Sequence, residues 1–167
     1  IKSTLDLVME RTRHLSMSAE EKEAQQREDF EKRFHGLLQH YADESQTADR
    51  LLEAMAELEA EMAFRDRQAA VRAVMARIDP DRDNEHWRVL LERLAPELCA
   101  PLEGLLEAHR QKEGQCLQAA QETMAAHLAG HYSITGSAVV PNPRKDAAAR
   151  RELAALRDES RSAIDAL

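Results

Sequence analysis

The sequence predicts an all-α fold: an extended bundle of coiled-coil-like helices, about five in number, with one short non-helical stretch of strand-forming residues at 133–143. Three observations carry this expectation. The apolar residues, 43% of the 167, are dominated by 28 Ala, 20 Leu and 6 Met, against 10 Val and Ile together and six aromatics. Ala, Leu and Met lose little side-chain freedom in a helix, whereas β-branched and aromatic residues favour strands. Five Gly and five Pro leave few sites for turns, and the apolar residues recur three and four apart along the chain.

Ser3 and Asp6 supply an N-cap and an acidic first turn for a helix over 3–15, with Leu5, Val8, Met9, Thr12 and Leu15 on one side. Ser18 with Glu21 three residues later is a capping box and opens a helix over 18–43. Its apolar stripe begins only at Phe30 and continues through Phe34, Leu37, Leu38 and Tyr41. Residues 19–29 are nearly all charged or Gln, so they face solvent or rest lightly on a neighbour. A third helix over 46–78 carries Leu51, Met55, Leu58 and Met62 as an a/d seam. Its register then shifts to Val71, Val74, Met75 and Ile78 before Pro80 stops it. Residues 19–78 fit either one rod or two helices folded on each other.

Asp83 or Asn84 caps a fourth helix over 84–131, with Trp87, Leu90, Leu91 and Leu94 facing inward. Pro96 and Pro101 each remove an amide donor, so this helix kinks or restarts near 95–101. Beyond Leu102 the positions 105, 109, 113, 116, 120, 124, 127 and 131 trace one narrow side, poor in large apolar residues, and Gly130 marks its end. Asn142 and Pro143 open a last helix over 143–167, with Ala149, Leu153, Leu156, Ser160, Ala163 and Leu167 on a heptad seam. No solenoid repeat and no Gly/Ser linker divides the chain, so residues 1–167 are expected to form a single helical domain.

The net charge is −8 with a pI near 5.4, which disfavours attraction to nucleic acid phosphates. A small basic island, Arg65, Arg67, Arg72 and Arg77, is expected to pair with the chain's own acidic helices. No run of apolar residues is long enough to span a membrane, and the first residues lack the basic-then-apolar pattern of a signal peptide. Cys99 and Cys116 are too far apart for a zinc knuckle or a redox pair, and read as small buried thiols of a reducing cytoplasm. The ratio of 18 Arg to 5 Lys points to a GC-rich bacterial genome, an inference about codons rather than about physics.

Two places hold candidate functional residues. His127 and His131, four apart, share one helix face, as two metal ligands on one helix must. His40 with Glu44 has the same spacing. These four form the candidate metal set, although the larger motifs around such pairs are incomplete. A hemerythrin-like di-iron bundle needs a later His, and none follows 131; the Glu-x-x-His pairs of ferritin-like bundles and the glutamate of HExxH are also missing. The second place is the uncharged segment 133–143. There Ile134, Val139 and Val140 flank Thr135 and Gly136, which suggests either a packed loop or a strand-like edge that pairs with another chain.

No glycine-rich phosphate loop, nucleophile elbow or dinucleotide fingerprint occurs, so no catalytic residue and no cofactor is expected. Several helices carry only a thin apolar stripe, and such helices are marginal alone in water. The expectation is therefore a non-enzymatic interaction, scaffold or regulatory protein that forms a homodimer and binds a protein partner through 133–143 or its helical seams. The alternative is a helical-bundle metal-binding protein that uses the His-x-x-x-His pair.

Overall fold

The computed structural model describes residues 18–43 and 46–167. Within them the chain is all-α, with six helices: α1 (Ala19–Ala42), α2 (Ala48–Met62), α3 (Arg67–Met75), α4 (Glu85–Leu94), α5 (Cys99–Tyr132) and α6 (Ala147–Asp165). Short 3₁₀ turns at Pro96–Leu98 and Pro143–Lys145 complete the order, and no strand occurs among the described residues. The helix expected over 3–15 lies outside them, as does Glu44. Contacts gather the chain into two compact units that divide between Ala70 and Val71, within α3.

In the first unit α1 and α2 form an antiparallel hairpin, which settles the question of rod or fold-back over 19–62. The capping box is present as the sequence predicts: the Glu21 amide donates to Ser18 Oγ at 3.1 Å, and the Ser18 amide donates to the Glu21 carboxylate at 2.6 Å. Residues 20–29 are exposed, and burial begins at Phe30. From there Phe30, Phe34, Leu38 and Tyr41 turn one stripe inward, while Leu51 and Leu58 do the same on α2. Phe30 stacks on Phe34 at 5.9 Å and meets the edge of Phe64 at 5.8 Å. On the rim the Arg33 guanidinium grips Glu61 with two bonds, of 2.9 and 2.6 Å.

The single helix expected over 46–78 is in fact two. It stops at Ala63, whose φ of 49° is left-handed. The Phe64 amide returns to Glu59 O and the Ala63 amide to Ala60 O, the paired bonds of a Schellman stop. Arg65 then reaches back to the nearly buried Glu59 at 2.7 Å and ties the turn shut. Asp66 restarts the chain as α3 by accepting from the Ala69 amide at 2.8 Å. The basic island thus pairs internally at Arg65, and Arg67 and Arg77 also have partners.

The second unit buries Val74, Met75, Ile78, Leu90, Leu91, Leu94, Leu102, Ala149 and Ile164. Pro96 ends α4, because the ring removes a donor and forces Ala95 into an extended geometry, φ −153°. Pro101 does not kink anything. It sits in the first turn of α5, where its missing amide would have had no partner. Gly130 does not end the helix either, since α5 runs on to Tyr132 and stops at the left-handed Ser133, φ 53°.

Helices α5 and α6 are antiparallel, as their cross-links show: His109 to Ser160, Lys112 to Glu159, Cys116 to Glu152. At 1.5 Å per residue, the 34 residues of α5 reach roughly 51 Å and the 19 residues of α6 roughly 28 Å. The register of those links sets Ala147, the start of α6, opposite roughly residue 122 of α5. The final turns of α5 therefore extend past α6.

A left-handed alanine costs about 1–2 kcal/mol relative to glycine. Ala63→Gly is accordingly expected to stabilise the hairpin by about 1 kcal/mol, read as a higher urea midpoint at unchanged slope. Ala56→Gly, at an exposed position inside α2, should instead lower the midpoint, by about 1 kcal/mol.

Candidate functional site

Of the candidate metal residues, the structure brings together two. His127 and His131 stand one turn apart on α5 with ring centroids 4.5 Å apart, and Tyr132 meets the His127 ring edge-on at 5.8 Å. His40 is exposed on α1, in the first unit, and Glu44 lies outside the described residues. Among the described residues no three His, Cys, Asp or Glu side chains converge to hold a metal ion.

Segment 133–143 forms no strand pair and packs only in part. Its one internal backbone bond, Val139 amide to Gly136 O at 3.1 Å, closes a single turn around Gly136, whose φ of 121° suits only glycine. One such bond cannot hold a hairpin without further strands beside it. Ile134 is 46% exposed and Val140 70%, with Thr135 exposed, whereas Val139, Pro141 and Pro143 are half-buried.

The chemical peculiarity of this region is wider than the segment itself. From Gly114 to Pro143 the chain carries one charged residue, Glu122, although 32% of the whole is charged. These thirty positions are the later half of α5, including the turns that extend past α6, and the segment that follows. On that helix Leu117, Ala120, Met124 and Leu128 form a half-buried stripe at spacings of three and four. Past it Tyr132, 64% exposed, joins Ile134 and Val140. The charge-poor run crosses the end of α5, so the composition of 133–143 alone does not show its extent.

A second arrangement had no sequence signal. His109 is 2% exposed, and both of its ring nitrogens are engaged. Nδ1 lies 2.8 Å from Ser160 Oγ on α6, and Nε2 lies 2.9 Å from Asp81 Oδ1 in the turn before α4. A neutral imidazole satisfies both if Nε2–H donates to Asp81 and the Ser160 hydroxyl donates to Nδ1. Arg157 of α6 binds Asp81 at 3.3 Å and Asp79 at 3.0 Å. Buried Asn84 accepts from the Asp79 amide and donates to Asp79 O and Arg82 O. It is not the side-chain cap of α4: Asp83 takes that role, accepting from the Glu85 amide at 2.9 Å. Arg161 finishes the knot by donating to Ile78 O at 2.6 Å, below the end of α3.

Ser160, His109 and Asp81 touch in the order of a hydrolytic triad. Acyl transfer also needs amide donors aimed at the developing oxyanion. Ser160 sits inside α6, where helical bonding spends the nearby amides. The adjoining pocket of about 250 Å³ is lined by Arg144 and Arg157, each held by an acid, Glu113 and Asp79. The group therefore works as a clamp that fastens the 79–84 turn and α6 to α5. The thiols are equally quiet. Burial first, then the Glu152 carboxylate for Cys116 and nearby glutamates for Cys99, push both above the usual cysteine range, away from the reactive thiolate.

His109→Ala should lower stability by about 2–4 kcal/mol, since it opens a cavity and leaves the Ser160 hydroxyl without its partner. Ser160→Ala removes one bond and should cost only about 1 kcal/mol. Chemical denaturation of the two variants beside the parent measures both. Equal, negligible losses would contradict the clamp.

No protein-family model matches the chain, and neither does any curated protein or solved structure. Among the described residues no helix is long and apolar enough to cross a membrane.

Proposed function

We propose that this chain is a non-enzymatic helical interaction protein that acts by self-association through the uncharged end of α5 and the segment after it. The observation that carries this reading is the single charge between Gly114 and Pro143. Two copies at −8 each repel one another over most of their surface. The uncharged end is the surface where that repulsion is weakest, and it also displays Tyr132, Ile134 and Val140. Interface centres are depleted of charge and enriched in Tyr and Met, which fits Tyr132 and Met124. The occupant is accordingly a second copy of the chain rather than a charged partner.

The thiols support a reading of the compartment. Cys99 and Cys116 are both free. Seventeen residues apart on one helix, they are separated by roughly 25 Å, several times the reach of a disulfide. We assign the protein to a reducing, cytoplasmic setting on that ground.

Ile134 and Val140 are exposed at this end. Ile134→Glu combined with Val140→Glu puts like charges across the contact at positions outside the helices, so the dimer dissociation constant should rise at least ~10-fold. Sedimentation equilibrium over a range of protein concentrations measures it. A parent chain that stays monomeric throughout that range would overturn the proposal.

A further inference from the structure

We propose that His127 and His131 are half of a binding site for a divalent transition ion of the zinc type, completed by the same pair from a second copy. This inference rests on the self-association reading. The two rings stand one turn apart on α5, at centroid separation 4.5 Å, and two imidazoles so placed reach one ion from one helix. Tyr132, edge-on to His127, restricts that ring's swing. Both histidines are exposed, and among the described residues neither ring is taken up by a hydrogen bond or an ion pair. Their nitrogens are free to bind.

Two imidazoles fill half of a tetrahedral shell. No third His, Cys, Asp or Glu among the described residues stands close enough to join them. Glu122 precedes His127 by five residues, which turns it roughly 140° away around the helix. The missing half must come from elsewhere, and a two-fold contact presents the same patch on both partners. His127 and His131 follow Met124 and Leu128 by three residues each, so they share a side with the apolar stripe that the contact covers. Four imidazoles then gather around the axis. An all-imidazole set suits zinc, copper or nickel and not calcium or magnesium, which take oxygen ligands. The overall negative charge of the chain also favours a cation.

The test titrates Zn²⁺ into full-length protein stripped of metal, by calorimetry, with cobalt(II) absorption to report geometry and sedimentation velocity on the same samples. The expected result is one ion per two chains, intense visible absorption from tetrahedral cobalt, and a dimer tightened by metal. His127→Ala or His131→Ala should weaken uptake at least ~10-fold with unchanged helical circular dichroism, because both side chains lie in solvent. One ion bound per monomer overturns the shared site. Absence of uptake by a protein that dimerises equally in chelator overturns the metal site and leaves the association reading standing, whereas a monomer that takes up no metal overturns both.

Discussion

The second unit depends on what His109 holds. A buried imidazole with both nitrogens engaged can bond two partners, and here they come from two different segments: Asp81 from the turn before α4 and Ser160 from α6. Breaking either bond leaves a polar group stranded in a water-poor place, which costs about 1–3 kcal/mol. The clamp therefore permits few alternatives. It ties α6 to α5 at one register, and Lys112–Glu159 and Cys116–Glu152 follow from that register. Arg157 and Arg161 extend the same logic by binding Asp79, Asp81 and the Ile78 carbonyl from the neighbouring turns of α6.

Apolar packing alone would not impose this. Only Leu102 and His109 are buried along all 34 residues of α5. A seam of small and half-buried residues slides easily, because one register of alanines resembles the next. Buried polar groups in helical bundles are known to fix register at some cost in stability. His109 fits that role here, and it explains why a histidine is one of the two buried residues of a helix so poor in core residues.

Sequence reading works where the determining interaction is local and fails where it is not. The capping box at Ser18 and Glu21 was legible because both bonds span three residues, as was the stop at Pro96 because proline acts on its own neighbours. The all-α class followed from composition, a sum over many residues. The break at 63–66 was not legible: Ala63-Phe64-Arg65 contains neither Gly nor Pro, and the left-handed alanine is held by Arg65 on Glu59 as much as by its own preference. His109 was hidden for the opposite reason. Its partners lie 28 and 51 residues away in the chain, and nothing in its immediate neighbourhood distinguishes it from the exposed histidines. Segment 133–143 is legible by its missing charge, but the uncharged run begins ahead of it, at Thr123 within α5.

Register and surface chemistry belong to one design. With His109 opposite Ser160, α6 covers α5 only to about residue 122, and the turns beyond are nearly free of charge. If α6 slid by one heptad toward the C-terminal end of α5, it would cover roughly two more turns and hide much of the Met124–Leu128 stripe. The imidazole clamp opposes such a slide, since His109 would lose Ser160 and Asp81 would lose Arg157. The clamp thus fixes how far α6 covers α5, and the exposed Tyr132, Ile134 and Val140 follow that limit along the chain.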